Sequence, residues 1–223
     1  MEPASQSAAP LRRVGVLGDV HAEDVALDAA LHFFAHQSLD AVLCVGDIVD
    51  GPGDAERTVA LLMEHDVVCV RGNHERWFAG GHARSLPDAT PAGTLSGGAK
   101  AFLASLPATR TLDTVAGAAL LCHGLGRDDM ARLDDDTRGY ALACCTELWS
   151  VHAARDVAWM IGGHTHRRMV RRFDHLTVLN AGTLYRAHDP CLMMVDFEAL
   201  EASFYDLDGD RAPALATRNT LRP

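Results

Sequence analysis

The sequence has no apolar run long enough to cross a bilayer, which excludes a helical anchor within it. It has no apolar core of signal-peptide length either. Met1 to Pro10 is instead rich in Ala, Ser and Pro and reads as part of a flexible tail over 1–12. None of the six cysteines forms a C-x-x-C pair, so they read as small core hydrophobes of a protein kept reduced, with a cytoplasmic location expected. Positive charge is in the minority: 20 Lys and Arg against 30 Asp and Glu give a formal charge of −10. That balance repels a nucleic-acid backbone, leaving nucleic acid as a substrate at most, and bound cations would offset part of it. Internal repeats and low-complexity linkers are also lacking. What remains, over 223 residues, suits one domain with a substantial core, expected over 13–210, and a C-terminal tail at 211–223.

Short apolar runs and amphipathic stretches alternate in the first third. Val14–Gly18, Ala41–Val45 and Val67–Val70 read as strands, and Glu23–His36 and Asp54–His65 as helices. Strand–helix alternation at these lengths implies a parallel sheet with right-handed crossovers. Later residues read differently. A helix at Gly97–Leu106 precedes a hairpin of Arg110–Thr114 and Ala118–Cys122, and Arg138–Arg155 reads as one helix. Val157–Ile161, Met169–Phe173, Thr177–Leu179, Leu192–Phe197 and Ser203–Asp206 then suggest a second, mainly antiparallel sheet packed on the first. Phe78–Ser96 and Gly124–Asp136 read as loops, either of which could cover a site.

Metal-binding side chains sit where these strands end, in Gly18-Asp19-Val20-His21, Gly46-Asp47-Ile48-Val49-Asp50, Gly72-Asn73-His74-Glu75, Cys122-His123-Gly124 and Gly162-Gly163-His164-Thr165-His166. Open α/β sheets build their sites outside the carboxyl ends of the strands, so the first three segments should converge on one crevice. Asp19 with His21, and His164 with His166, stand two apart, the spacing that places strand side chains on one face. Asp47 is the carboxylate expected to bridge two cations. Asn73 offers a neutral oxygen, and His123, His164 and His166 offer imidazole nitrogens. This nitrogen and oxygen set suits Mn²⁺, Fe, Zn²⁺ or Ni²⁺, with Mn²⁺ the expected choice in vitro; an all-oxygen Mg²⁺ or Ca²⁺ site would not need so many histidines.

These segments, in this order, resemble the calcineurin-like metallophosphoesterase family, whose pattern is D-x-H, G-D-x-x-D, G-N-H-[DE], H and G-H-x-H. The resemblance runs from residue 14 to about 183. It implies an α/β fold, a four-layer αββα sandwich of two mixed sheets flanked by helices. It further implies that Asp19, His21, Asp47 and His166 hold one metal and Asp47, Asn73, His123 and His164 the other, with a bridging hydroxide as nucleophile. His74 would then be the general acid and Asp50 its partner, holding the tautomer and raising the imidazole pKa.

One departure bears on the substrate. Related protein serine/threonine phosphatases and diadenosine tetraphosphatases carry an Arg after the second motif that clamps a terminal phosphate; here the residue is Gly51. The chain looks closer to small phosphodiesterases of the family. A phosphodiesterase acting on a nucleotide or similar small phosphate ester is the expectation. The phosphatase or polyphosphate hydrolase reading needs a substitute from Arg71, Arg127 or Arg186, and a non-catalytic scaffold is the third reading. Glu75 fits either a partner of the ligands or a helix N-terminal carboxylate. The other histidines, including His152, His175 and His188, read as surface or structural. The Arg167, Arg168, Arg171, Arg172 cluster reads as a solvated, salt-bridged face, and Asp134 to Asp136 as a solvated loop or helix start.

Overall fold

Alternation within single strands builds the core. In β1 (Arg13–Leu17), Val14 and Val16 join one buried cluster and Leu17 another, because side chains two apart on a strand share a face. β9 (Cys191–Asp196) repeats the division: Met193 and Val195 lie with Val14 and Val16, while Leu192 and Met194 lie with Leu17. In β6 (Trp159–Gly162), Trp159 and Ile161 join the shared cluster and Met160 a third. Strands buried on both faces need cover on both. Two sheets therefore stack face to face, with helices outside each.

The computed structural model describes residues 9–209 and 212–221. One sheet has the order β11-β10-β9-β1-β2-β3, where β2 is Ala41–Cys44, β3 Val68–Cys69, β10 Glu201–Asp206 and β11 Ala214–Thr220. The other runs β4-β5-β6-β8-β7, with β4 at Arg110–Leu112, β5 at Ala119–Leu121, β7 at Arg168–Phe173 and β8 at Leu176–Ala181. Each is mixed. β1, β2 and β3 pair in parallel and β9 pairs antiparallel to β1; β5, β6 and β8 are parallel, flanked by antiparallel β4 and β7.

Helices α1 (Asp24–Phe34), α2 (Ala55–Glu64) and α4 (Gly97–Ser105) cover the first sheet, burying Leu27, Leu31, Leu62 and Leu103 with Leu17 and Leu192. Asp54 caps α2 by accepting from the Arg57 amide at 3.0 Å, and Ser96 caps α4 through the Ala99 amide at 3.1 Å. On the other side, α5 (Gly139–Ala143) and α6 (Thr146–Ala154) cover the second sheet, with Leu148 packed on Met160 and Val178. The architecture is the expected four-layer αββα sandwich.

Four expectations are corrected. Leu192–Phe197 and Ser203–Asp206 do not join the second sheet, because β9 docks antiparallel on the free edge of β1 and brings β10 with it. The expected C-terminal tail supplies an edge strand, since β11 pairs with β10 and the Leu221 amide donates to Leu200 O at 2.7 Å. Of the expected N-terminal tail, residues 1–8 lie outside the described residues, but Leu11 and Arg12 are tied down: the Leu11 amide donates to Asp113 O at 2.8 Å and the Arg12 amide to Asp40 Oδ2 at 2.6 Å. The single helix expected at Arg138–Arg155 breaks at Cys144-Cys145, where Trp149 Nε1 donates to the Leu142 carbonyl at 2.9 Å. A helix that the sequence reading did not separate, α3 (Asn73–Gly80), begins on the third motif itself.

Candidate active site

The carboxyl ends of β1, β2 and β3 open onto one crevice, and those of β5 and β6 face it from the second sheet. Asp19, Asp47, Asn73, His123, His164 and His166 therefore meet from both sheets, as the strand-end argument requires. Ligand-type atoms of Asp19, His21 and His166 all lie within 4.8 Å of one another, and so do those of Asp47, His123 and His164. His166 Nε2 is 3.0 Å from Asp19 Oδ2 and 3.0 Å from His21 Nε2. In the second group, His123 Nε2 is 3.2 Å from Asp47 Oδ2 and 3.0 Å from Asn73 Oδ1. Asp47 joins the groups through one oxygen: Oδ2 is also 3.9 Å from His21 Nε2, whereas Oδ1 accepts the His74 amide at 2.9 Å.

The spacing rule for strands is not what aims these residues. His21, Asp47, Asp50, His164 and His166 have φ of 48°, 47°, 64°, 69° and 60°, the left-handed region that costs an L-residue roughly 1–2 kcal/mol. Tight turns after the strands, held by the surrounding sandwich, point these side chains inward. Consequently His164 and His166 go to different groups. Gly163 lies between the sheets' turns with no room for a side chain, since a Cβ there would overlap Asp19 Oδ1.

In three of the four rings the far nitrogen meets a partner outside the groups. His21 Nδ1 donates to Asp50 O at 2.8 Å, so its neutral ring presents the Nε2 lone pair to the crevice, and His123 Nδ1 donates to Val45 O at 3.0 Å, so its Nε2 becomes a ligand atom once its proton leaves. His166 Nδ1 lies 2.6 Å from His188 Nδ1. The His164 amide donates to both oxygens of Asp19, each at 3.0 Å. Glu75, the third residue of α3, accepts the amides of Asp47, Ile48, Val49 and Gly72 at 2.7–3.1 Å. It is thus both partner of the second motif and helix N-terminal carboxylate.

Beside these groups stands His74. Its Nδ1 is 2.9 Å from Asp50 Oδ2, and its Nε2 faces the crevice, 3.9 Å from Asp47 Oδ2. Arg84 forks onto Asp50 at 2.9 and 2.7 Å, and the Thr90 amide donates to Asp50 Oδ1 at 2.8 Å. Burial would raise Asp50, but these hydrogen bonds bring it down to about 2. Burial likewise would lower His74, yet Asp50 and Asp47 hold it above the ordinary histidine value. The buried Asp47 and Asp19 outweigh burial at His123 and push it up to about 10. His21 and His164 are lowered, chiefly by burial, and so favour the neutral form that can coordinate a cation.

The donors fit borderline divalent cations: two buried carboxylates, one carboxamide oxygen and four imidazoles, without a thiolate. Cys122 adjoins His123, but its Sγ faces Gly124 O and burial pushes the thiol up to about 12. The candidate arginines differ from one another. Arg186 is engaged by Glu23, at 2.9 Å through Nε and 2.7 Å through Nη2. Arg71 and Arg127 line a cavity of about 340 Å³ with His123 and Arg76.

Sequence reasoning missed Arg84, Thr90 and His188. Arg84 and Thr90 lie 34 and 40 residues beyond Asp50 in a loop without periodicity, and His188 reads in the sequence like any surface histidine. No local signal marks any of them. Both loops do reach the crevice: Arg84 and Thr90 come from Phe78–Ser96, and Asp129 of Gly124–Asp136 pairs with Arg76 of α3 at 2.6 Å.

The fold has counterparts among solved structures. A metallophosphoesterase from Sphaerobacter thermophilus is 21% identical with a TM-score of 0.65, over 88% of each chain. An archaeal phosphodiesterase is 14% identical with a TM-score of 0.54, over 87% of this chain and 99% of that one. Vps29 from Entamoeba histolytica, solved with Zn²⁺, is 18% identical with a TM-score of 0.55, over 94% and 99%. At such identities the likeness concerns the fold alone, and no curated protein matches the sequence significantly. The profile of the calcineurin-like phosphoesterase superfamily domain matches residues 13–199, nearly the whole described sandwich, and the chain belongs to that superfamily.

Proposed function

We propose that the crevice holds two divalent cations and hydrolyses phosphate esters, with a diester of a nucleotide or similar small molecule as the favoured substrate. The observation that carries this reading is Asp47 Oδ2, at 3.2 Å from His123 Nε2 and 3.9 Å from His21 Nε2, between the two donor groups. Asp19, His21, Asp47 and His166 would hold one ion, and Asp47, Asn73, His123 and His164 the other. Mn²⁺ is the ion to try first. Bound cations of this kind lower the pKa of water and neutralise charge on phosphoryl oxygens.

The remaining work falls to the chain's own residues. His74 donates a proton from Nε2 to the leaving oxygen, while Asp50 keeps the other proton on Nδ1 and aims the ring. Asn73 offers an amide group at the position where a phosphoryl oxygen would lie. Trp77 packs on His74 with ring centroids 4.8 Å apart, and Tyr185 on His21 at 5.4 Å. These rings give the crevice apolar surface suited to a nucleobase or aryl group.

The preference for a diester rests on Gly51. A Cβ at this position would overlap the carbonyl of His21, so the clamping Arg of the related phosphatases has no place here. Hydrolysis of bis-p-nitrophenyl phosphate against p-nitrophenyl phosphate, by stripped protein reloaded with Mn²⁺, tests the point. The diester should turn over faster; preference for the monoester would reverse the assignment.

One observation favours a second reading. Arg71 and Arg127 beside His123 could bind a distal phosphate, which suits a dinucleoside polyphosphate hydrolase or, less directly, a protein serine/threonine phosphatase. A non-catalytic scaffold has least support, because no donor of the set has been replaced.

A further inference from the structure

Outside the crevice, one other group of described residues brings ligand-type atoms of three side chains within 4.8 Å of one another: His152, Asp174 and His175. His152 lies in the last turn of α6, and Asp174 and His175 form the turn between β7 and β8. The two rings are 4.6 Å apart between centroids. That spacing is close to those of His21 with His166 and His123 with His164 in the crevice, 4.9 and 5.2 Å.

Protein groups make little claim on these donors. His175 Nδ1 lies 3.4 Å from Asp174 Oδ2, too long and weak to satisfy it well, and its buried Nε2 has no hydrogen-bond partner. The His152 ring contacts Trp149 and His175, and its side chain makes no hydrogen bond among the described residues. Asp174 Oδ2 also lies 3.3 Å from Arg155 Nη2, but both side chains are about two-thirds exposed. A solvent-exposed pair of that kind is weak and does not hold the carboxylate against a cation.

We propose that His152, Asp174 and His175 form a separate site for one borderline divalent cation, best suited to Zn²⁺, which fastens the end of α6 to the β7–β8 turn. Two imidazoles and a carboxylate supply three ligands, and solvent can complete four-coordination at this half-exposed position. Two nitrogen donors disfavour Ca²⁺ and Mg²⁺. The inference does not depend on what the crevice binds.

The test counts protein-bound zinc after stripping, reloading with Zn²⁺ and dialysis, in the wild type, His152→Ala and His175→Ala. Each variant should hold one ion fewer per chain than the wild type, whatever the crevice contributes, and should keep wild-type turnover. Asp174→Asn, at an exposed position where folding is not at risk, should weaken binding of the extra ion at least tenfold. Equal zinc content in wild type and His175→Ala, or unchanged affinity in Asp174→Asn, would overturn the proposal. If the crevice held no metal at all, the wild type would retain one ion and the histidine variants none, so the two readings fail separately.

Discussion

The guanidinium of Arg84 holds both oxygens of Asp50, at 2.9 and 2.7 Å, while His74 Nδ1 shares one of them at 2.9 Å. An irregular loop thus fixes the carboxylate that aims the proposed general acid. Arg84→Ala should leave the metal content of the crevice unchanged and slow esters with poor leaving groups roughly tenfold, a fraction of the 10²–10⁴ a general acid supplies. Activated nitrophenyl esters should be nearly unaffected. Equal slowing of both classes would remove Arg84 from the account.

His74→Ala tests the acid directly. Turnover of alkyl esters should fall by about 10²-fold or more, and that of nitrophenyl esters far less, because an activated leaving group needs little protonation. Metal content should again match the wild type. The pH dependence has a definite sign. His74 is raised above the ordinary value of 6.5, so its protonated form survives past that pH and is lost as pH rises further. Alkyl ester turnover should therefore decline on the alkaline side, and this limb should be absent in His74→Ala.

Asp47→Asn should abolish turnover and lower metal content at both positions, since the shared oxygen loses its charge. Near-wild-type activity in this variant would remove the bridging role. A fall in bound metal at one position alone would confine Asp47 to a single ion.

Gly51 is fixed by steric exclusion. Gly51→Ala should destabilise the protein by about 1–3 kcal/mol, the cost of overpacking a tight contact, and displace the turn that carries His21. Gly51→Arg should not create a monoesterase. Thermal unfolding and metal content measure both effects, and a wild-type Tm in Gly51→Ala would show that the turn yields.

Metal affinity should rise with pH. His123 is pushed up to about 10 by Asp47 and Asp19, so at neutral pH an incoming cation must displace its proton. Between pH 6 and 9, affinity should increase roughly tenfold per unit for each proton displaced, with matching acid release in weakly buffered solution. Binding without proton release would contradict the placement of His123 among the ligands.

Much of this was legible in the sequence because strand ends carry the chemistry. The apolar runs before Asp19, Asp47, Asn73 and His123 are short and bounded, so the convergence of the motifs follows from sheet topology. What local pattern does not encode is pairing between distant segments. The docking of β9 on β1 and the reach of Arg84 to Asp50 depend on contacts over 30 residues or far more, and β11 is placed by pairing with a strand that is itself docked in this way. The left-handed turns at His21, Asp47, His164 and His166 were invisible for another reason: none of these positions is glycine, and tertiary packing imposes the strain. The pairing of Arg186 with Glu23 was not legible either, because Glu23 carries no mark of burial in the sequence.

The most direct test of the account is turnover of bis-p-nitrophenyl phosphate as Mn²⁺ is added in steps to stripped protein, with bound metal counted at each step. His152→Ala serves as the parent, so that only the crevice is titrated. Activity should be absent without metal, remain low at one bound ion and reach its full value at two. Full activity at one ion, or turnover that persists in excess chelator, would contradict a dinuclear centre built around Asp47.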